Sequence, residues 1–64
     1  MLEAKTFFVN GQEYYTTNKI SLLDLLNYFD YNSSLLVLEY NNFICNKKNW
    51  DRILISNHDN LHHL

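Results

Sequence analysis

The sequence predicts an α+β domain in which one helix packs across a mixed sheet of four to five strands, in the order ββαββ. Three observations predict it. An Asn10-Gly11 dipeptide separates two β-rich runs, as in a tight hairpin. Leu22, Leu25, Leu26 and Phe29 recur at helical spacing behind Ser21. A continuous apolar run, Leu35-Leu36-Val37-Leu38, then opens a second set of short β-like segments.

The elements follow in chain order. Residues Ala4 to Val9 end in Phe7-Phe8-Val9, and Gln12 to Thr17 carry Tyr14, Tyr15, Thr16 and Thr17; both are β-rich. Asn and Gly tolerate φ > 0 at both central positions of a type I′ turn, so a hairpin closes at Asn10-Gly11. Ser21 is placed to cap a helix, with Asp24 three residues on, where a carboxylate favours the positive helix end. Leu23 falls off the apolar stripe, at its edge. The polar stretch from Asp30 to Ser34 stops the helix near Phe29 or Asp30.

Leu35 to Tyr40 reads as a strand buried on both faces in the middle of the sheet, reached from the hairpin by a right-handed crossover and parallel to its partner. Asn41-Asn42 forms a second hairpin turn and Phe43-Ile44-Cys45 the returning strand. Asn46 to Arg52 is a loop or short 3₁₀ turn pinned by Trp50, which a domain this small needs as a core plug. Ile53-Leu54-Ile55 leads into a tight turn at Ser56-Asn57-His58-Asp59, and Leu61 to Leu64 begin a last strand. One helix across such a sheet is the β-grasp arrangement.

Size and charge limit the function. The 64 residues, 47% hydrophobic and 16% aromatic, make one globular domain with a thin core and little room for an enclosed substrate pocket. An independent enzyme is therefore disfavoured, and no nucleophile–base pair stands out. The net charge is −2, and Lys47, Lys48 and Arg52 are too few cations to neutralise a run of phosphates. No apolar stretch approaches the roughly 20 residues of a membrane span, and the start lacks a signal-peptide pattern. The lone Cys45 fits a reducing compartment, cytoplasm or plastid stroma. Abundant Asn, Lys, Ile, Tyr and Phe with scarce Arg, Gly and Pro match the bias of an AT-rich genome such as a plastid's.

Further residues bear on family. Val9-Asn10-Gly11, Ser21-Leu22 with Leu25-Leu26, Glu39-Tyr40-Asn41-Asn42, Ile44, Trp50 and His58-Asp59-x-Leu61 succeed one another without gaps from about Lys5 to Leu61. With this series the chain resembles the thiamine-biosynthesis sulfur carrier family ThiS, which is ubiquitin-like. The resemblance implies a protein carrier that docks on an E1-like adenylyltransferase (ThiF-type) and on thiazole synthase (ThiG-type). It also implies a C-terminal Gly-Gly tail, adenylated and then converted to a thiocarboxylate. That tail is missing here: the one glycine is Gly11, and Asn60 to Leu64 stop partway into the last strand. Either the domain is truncated there, or it keeps the docking fold without the carrier role. A non-carrier β-grasp interaction module and a molybdopterin-type sulfur carrier are the alternatives.

The docking candidates are Phe8 and Tyr15, as aromatics on the outer sheet face, and Leu61, His62, His63 and Leu64 at the end of the last strand. No catalytic, cofactor or metal-binding residue is assigned. His58, His62 and His63 with Asp59 invite a metal reading, but His62 and His63 point to opposite faces of a strand. Cys45 lacks an activating neighbour in sequence and reads as structural.

Overall fold

The computed structural model describes residues 3–31 and 34–63. Its elements are β1 (Lys5–Val9), β2 (Gln12–Thr16), α1 (Leu22–Tyr28), β3 (Leu38–Tyr40), β4 (Phe43–Cys45), a 3₁₀ turn (Lys47–Asn49) and β5 (Asp59–His63). They form one five-stranded sheet in the order β2-β1-β5-β3-β4, with α1 packed against one face. This is the expected β-grasp arrangement, with β5 completing the sheet.

Both hairpin turns form as the sequence dictates. Asn10 and Gly11 have φ of 51° and 81°, and Asn41 and Asn42 have φ of 51° and 74°. Positive φ at both central residues is the type I′ geometry, whose twist matches the flanking strands. The Ser21 cap is a full capping box: its Oγ accepts the Asp24 N–H (3.0 Å), and the Asp24 carboxylate accepts the Ser21 N–H (2.9 Å). The remaining first-turn donors are met from outside the helix. Leu22 N–H donates to the Ile53 carbonyl (2.9 Å) and Leu23 N–H to that of Trp50 (3.0 Å). All the orphan donors of the helix start are thus satisfied, and the 50–55 loop is stapled to it.

The helix ends as a Schellman motif. Asp30 takes φ of 59°, where glycine is usual; its N–H reaches the Asn27 carbonyl, and Tyr31 N–H reaches that of Leu26. The buried face of α1 is Leu22, Leu25 and Leu26, which meets Phe7, Val9, Leu38, Trp50, Ile55 and Leu61. Trp50 is 1% exposed and its indole N–H donates to the Cys45 carbonyl at 3.1 Å, so the plug is also polar-satisfied.

Three expectations need correction. The apolar run is not a six-residue buried strand. Only Leu38–Tyr40 pair, while Leu35 and Val37 are 79% and 44% exposed and Leu36 folds back against the core. A continuous apolar run does not distinguish a buried strand from loop residues that lid a small core. The middle of the sheet is β5, not β3, and the parallel neighbour of β1 is likewise β5, whereas β3 runs antiparallel to β5. Finally, the last strand begins at Asp59, two residues before Leu61.

Gly11 has φ of 81°, and an added Cβ there would meet nothing within 4 Å. The penalty for Gly11→Ala is therefore backbone strain alone, about 1–2 kcal/mol. The expected result is an earlier midpoint in urea unfolding followed by Trp50 fluorescence, with an unchanged slope; a clash-free gain in stability would contradict this account of the turn.

Candidate functional site

The geometry of interest is built around β5. It enters the sheet between β1 and β3, which run in opposite directions, so each contributes its hairpin turn at a different end of β5. Asn41 holds the start: its N–H donates to the Asn60 carbonyl and its Oδ1 accepts the Asn60 N–H, both at 2.8 Å. Asn10 holds the far end. Its N–H donates to the Leu61 carbonyl (2.8 Å), and its Oδ1 accepts the His63 N–H (3.1 Å). Each side chain extends the ladder past its own turn, which a short amide does well while tolerating the left-handed backbone. The end of β5 at His63 thus lies beside the Asn10-Gly11 turn.

Asp59 anchors the strand from below. It is 5% exposed, and its carboxylate accepts from the Tyr40 hydroxyl (2.7 Å), the Ser56 N–H (2.7 Å) and the Asn41 amide (3.1 Å). A carboxylate this buried is tolerable because each oxygen is hydrogen-bonded. Burial, and then the bond to Asp59, pushes the Tyr40 hydroxyl up to about 12 from 10.0. On the upstream side, Asn57 Oδ1 accepts the Thr6 N–H (2.8 Å) and His58 N–H donates to the Thr6 carbonyl (2.5 Å), with His58 at φ of 68°.

Strand alternation sorts the side chains. Phe7, Val9, Leu38 and Leu61 face the helix, so Thr6, Phe8, Glu13, Tyr15, Glu39, Ile44, Asn60 and His62 share the opposite face. Phe8 and His62 are half-buried there, Tyr15 and Ile44 are 68% and 65% exposed, and the Tyr15 hydroxyl donates to the Glu13 carboxylate at 2.5 Å. That bond raises the Tyr15 hydroxyl above its ordinary value. Of the docking candidates, Phe8, Tyr15 and His62 therefore gather on the outer face. His63 lies on the helix side, its ring 4.3 Å from that of Tyr31. Leu61 is corrected: it is fully buried, because a strand starting at Asp59 turns its third residue into the core. Leu64 lies outside the described residues.

Among the described residues, no group of three His, Cys, Asp or Glu is placed to hold a metal ion. Cys45 is half-buried with its thiol pushed up by burial, away from thiolate reactivity. No described helix is long and apolar enough to cross a membrane. Sequence reasoning missed the two asparagine clamps and Ile44 on the outer face. Asparagine as the first residue of both turns was the visible sign of the clamps; the strand parity that places Ile44 needed the register.

Comparisons with known proteins bear on this architecture. The chain is 81% identical over 58 residues to the protein ycf40 of Trieres chinensis, a match covering 91% of this chain and 80% of the relative. The thiamine biosynthesis protein ThiS of Geobacter metallireducens superposes with a TM-score of 0.81 over 92% of this chain and 90% of its own, at 16% sequence identity. At that identity the likeness establishes the fold. No protein-family model matches the chain.

The raised Tyr40 hydroxyl carries a pH dependence. A group held protonated in the folded state stabilises fully below its unfolded value, here 10.0, and loses that contribution as pH rises through about 12. Stability measured by chemical denaturation should fall across this window. In Tyr40→Phe that part of the fall should vanish, at the cost of lower stability at neutral pH; an identical alkaline profile would refute the assignment.

Proposed function

The chain belongs to the ycf40 protein family, and on that premise we propose that it is a ThiS-like sulfur carrier of thiazole biosynthesis, working in the plastid stroma by docking on larger enzymes. Its partners in this reading are an E1-like adenylyltransferase and a thiazole synthase. The observation that carries the proposal is the gripped central strand. β5 is fixed on both sides and ends at His63 beside the Asn10-Gly11 turn. A carrier needs this device, a rigid body that aims a narrow tail into another protein's active site. The shared fold and the motif series from Val9 to Leu61 support the same reading. The ycf name of the relative and the Asn- and Lys-rich composition support the plastid stroma.

The outer face supplies the docking surface, with Phe8, Tyr15 and His62 as its central contacts, and His63 and Leu64 guide the tail. The chain takes no cofactor and performs no catalysis in this scheme; activation and sulfur transfer belong to the partners. The thiocarboxylate itself requires a glycine tail following Leu64. The second reading is a β-grasp protein-interaction module that binds its partners without carrying sulfur.

Titration of the folded protein against the adenylyltransferase and the synthase tests the docking claim. Binding that weakens at least tenfold in Tyr15→Ala, about 1.4 kcal/mol, is expected. Absence of binding to either enzyme refutes the proposal. Intact mass of the gene product from its own organelle separates the two readings, since a thiocarboxylate adds about 16 Da where sulfur replaces oxygen.

A further inference from the structure

The two edges of the sheet are unequal. β4 is three residues long, whereas β2 presents five, Gln12-Glu13-Tyr14-Tyr15-Thr16, with no proline or lysine. Short edge strands, prolines and lysines are the usual protections against unwanted pairing. β2 has none of them beyond one glutamate.

The hairpin register determines which backbone groups are available. A two-residue turn makes Val9 and Gln12 a hydrogen-bonded pair, so Phe7 with Tyr14 and Lys5 with Thr16 are bonded as well. The N–H and C=O groups of Glu13 and Tyr15 therefore point away from β1. The partner of Tyr15 confirms the phase: Thr6 turns its own N–H and C=O away from β2, to Asn57 and His58.

This edge is self-complementary. A second copy related by a two-fold axis through Tyr14 places Glu13 opposite Tyr15 of the other chain, twice. Both residues then exchange their free backbone bonds in the narrow antiparallel pairing. The same register sets a carboxylate acceptor beside a phenol donor, the pair that already meets within one chain at 2.5 Å. A register pairing Glu13 with Glu13 would instead oppose like charges. Beside the edge, a cleft of about 390 Å³ opens between β2 and α1, with Tyr28, 81% exposed, at its rim. Tyr15 and Tyr28 offer on the order of 300 Å² of aromatic surface per copy, enough for a weak, transient contact. We propose that β2 is a homodimer edge, at which two copies of this chain join through Glu13 and Tyr15 into one continuous ten-stranded sheet. The inference is independent of the carrier reading.

Sedimentation of the protein between about 10 μM and about 1 mM tests it, with a dissociation constant on the order of 100 μM expected. Amide chemical shifts that depend on concentration should concentrate at Glu13, Tyr15 and Tyr28. Tyr15→Pro removes an outward N–H that β1 does not use, so the variant should fold yet stay monomeric throughout the range. A wild-type monomer at about 1 mM, including one whose β2 is taken by a foreign extended peptide, overturns the proposal. So does a dimer that survives in folded Tyr15→Pro, or shifts confined to β4 or to Phe8, Glu39 and His62. If the variant fails to fold, the amide map decides alone.

Discussion

The domain closes only when its last strand enters the gap between β1 and β3, and every other feature depends on that insertion. The two neighbours of β5 are not paired with each other: β1 opens one hairpin and β3 opens the next, and they are joined in space by five residues distant in sequence. The ladder alone would hold β5. Asn10 and Asn41 add a side-chain bond at each end, and the buried Asp59 carboxylate ties the strand start to Tyr40, Asn41 and Ser56. In a body with so thin a core, such fully satisfied polar contacts specify one register where apolar area alone specifies it poorly.

The same insertion explains how the surface is divided. Leu61 enters the core beneath α1, and this parity turns Asn60 and His62 outward, beside Phe8 and Glu39. The helix needs a second support because it is only seven residues long. That support comes from the 50–55 loop, whose carbonyls at Trp50 and Ile53 accept the free donors of the first turn while the indole fills the space beneath. Helix, loop and β5 thus converge on one face, and the opposite face carries Phe8, Tyr15, Ile44 and His62.

Much of this architecture was legible in the sequence. Asn10-Gly11 fixes its turn through local backbone preference, Ser21 and Asp24 announce the cap, and Trp50 is too large to lie anywhere but in the core. Long-range pairing was harder to read. Leu35 to Leu38 is apolar throughout, and only the partners of Leu38 show where pairing starts. Leu61 looked available for docking because it was read at the free end of the last strand, whereas it sits at the middle of β5 on the face turned to the core. Of the outer face, the aromatics were foreseeable and Ile44 was not. The edge groups of Glu13 and Tyr15 follow from register alone.

The position of β5 also sets a timetable for synthesis. The strand that completes the sheet is the last described element to leave the ribosome, following every residue it must hold together. Until it emerges, the nascent chain has only two separate two-stranded hairpins, each marginally stable in water, with no strand pairing one to the other. Helix and hairpin cannot share a core before Leu61 arrives between them. At translation speeds of about 5–20 residues per second, the stretch between the first hairpin and β5 leaves that hairpin without its β5 partner for seconds.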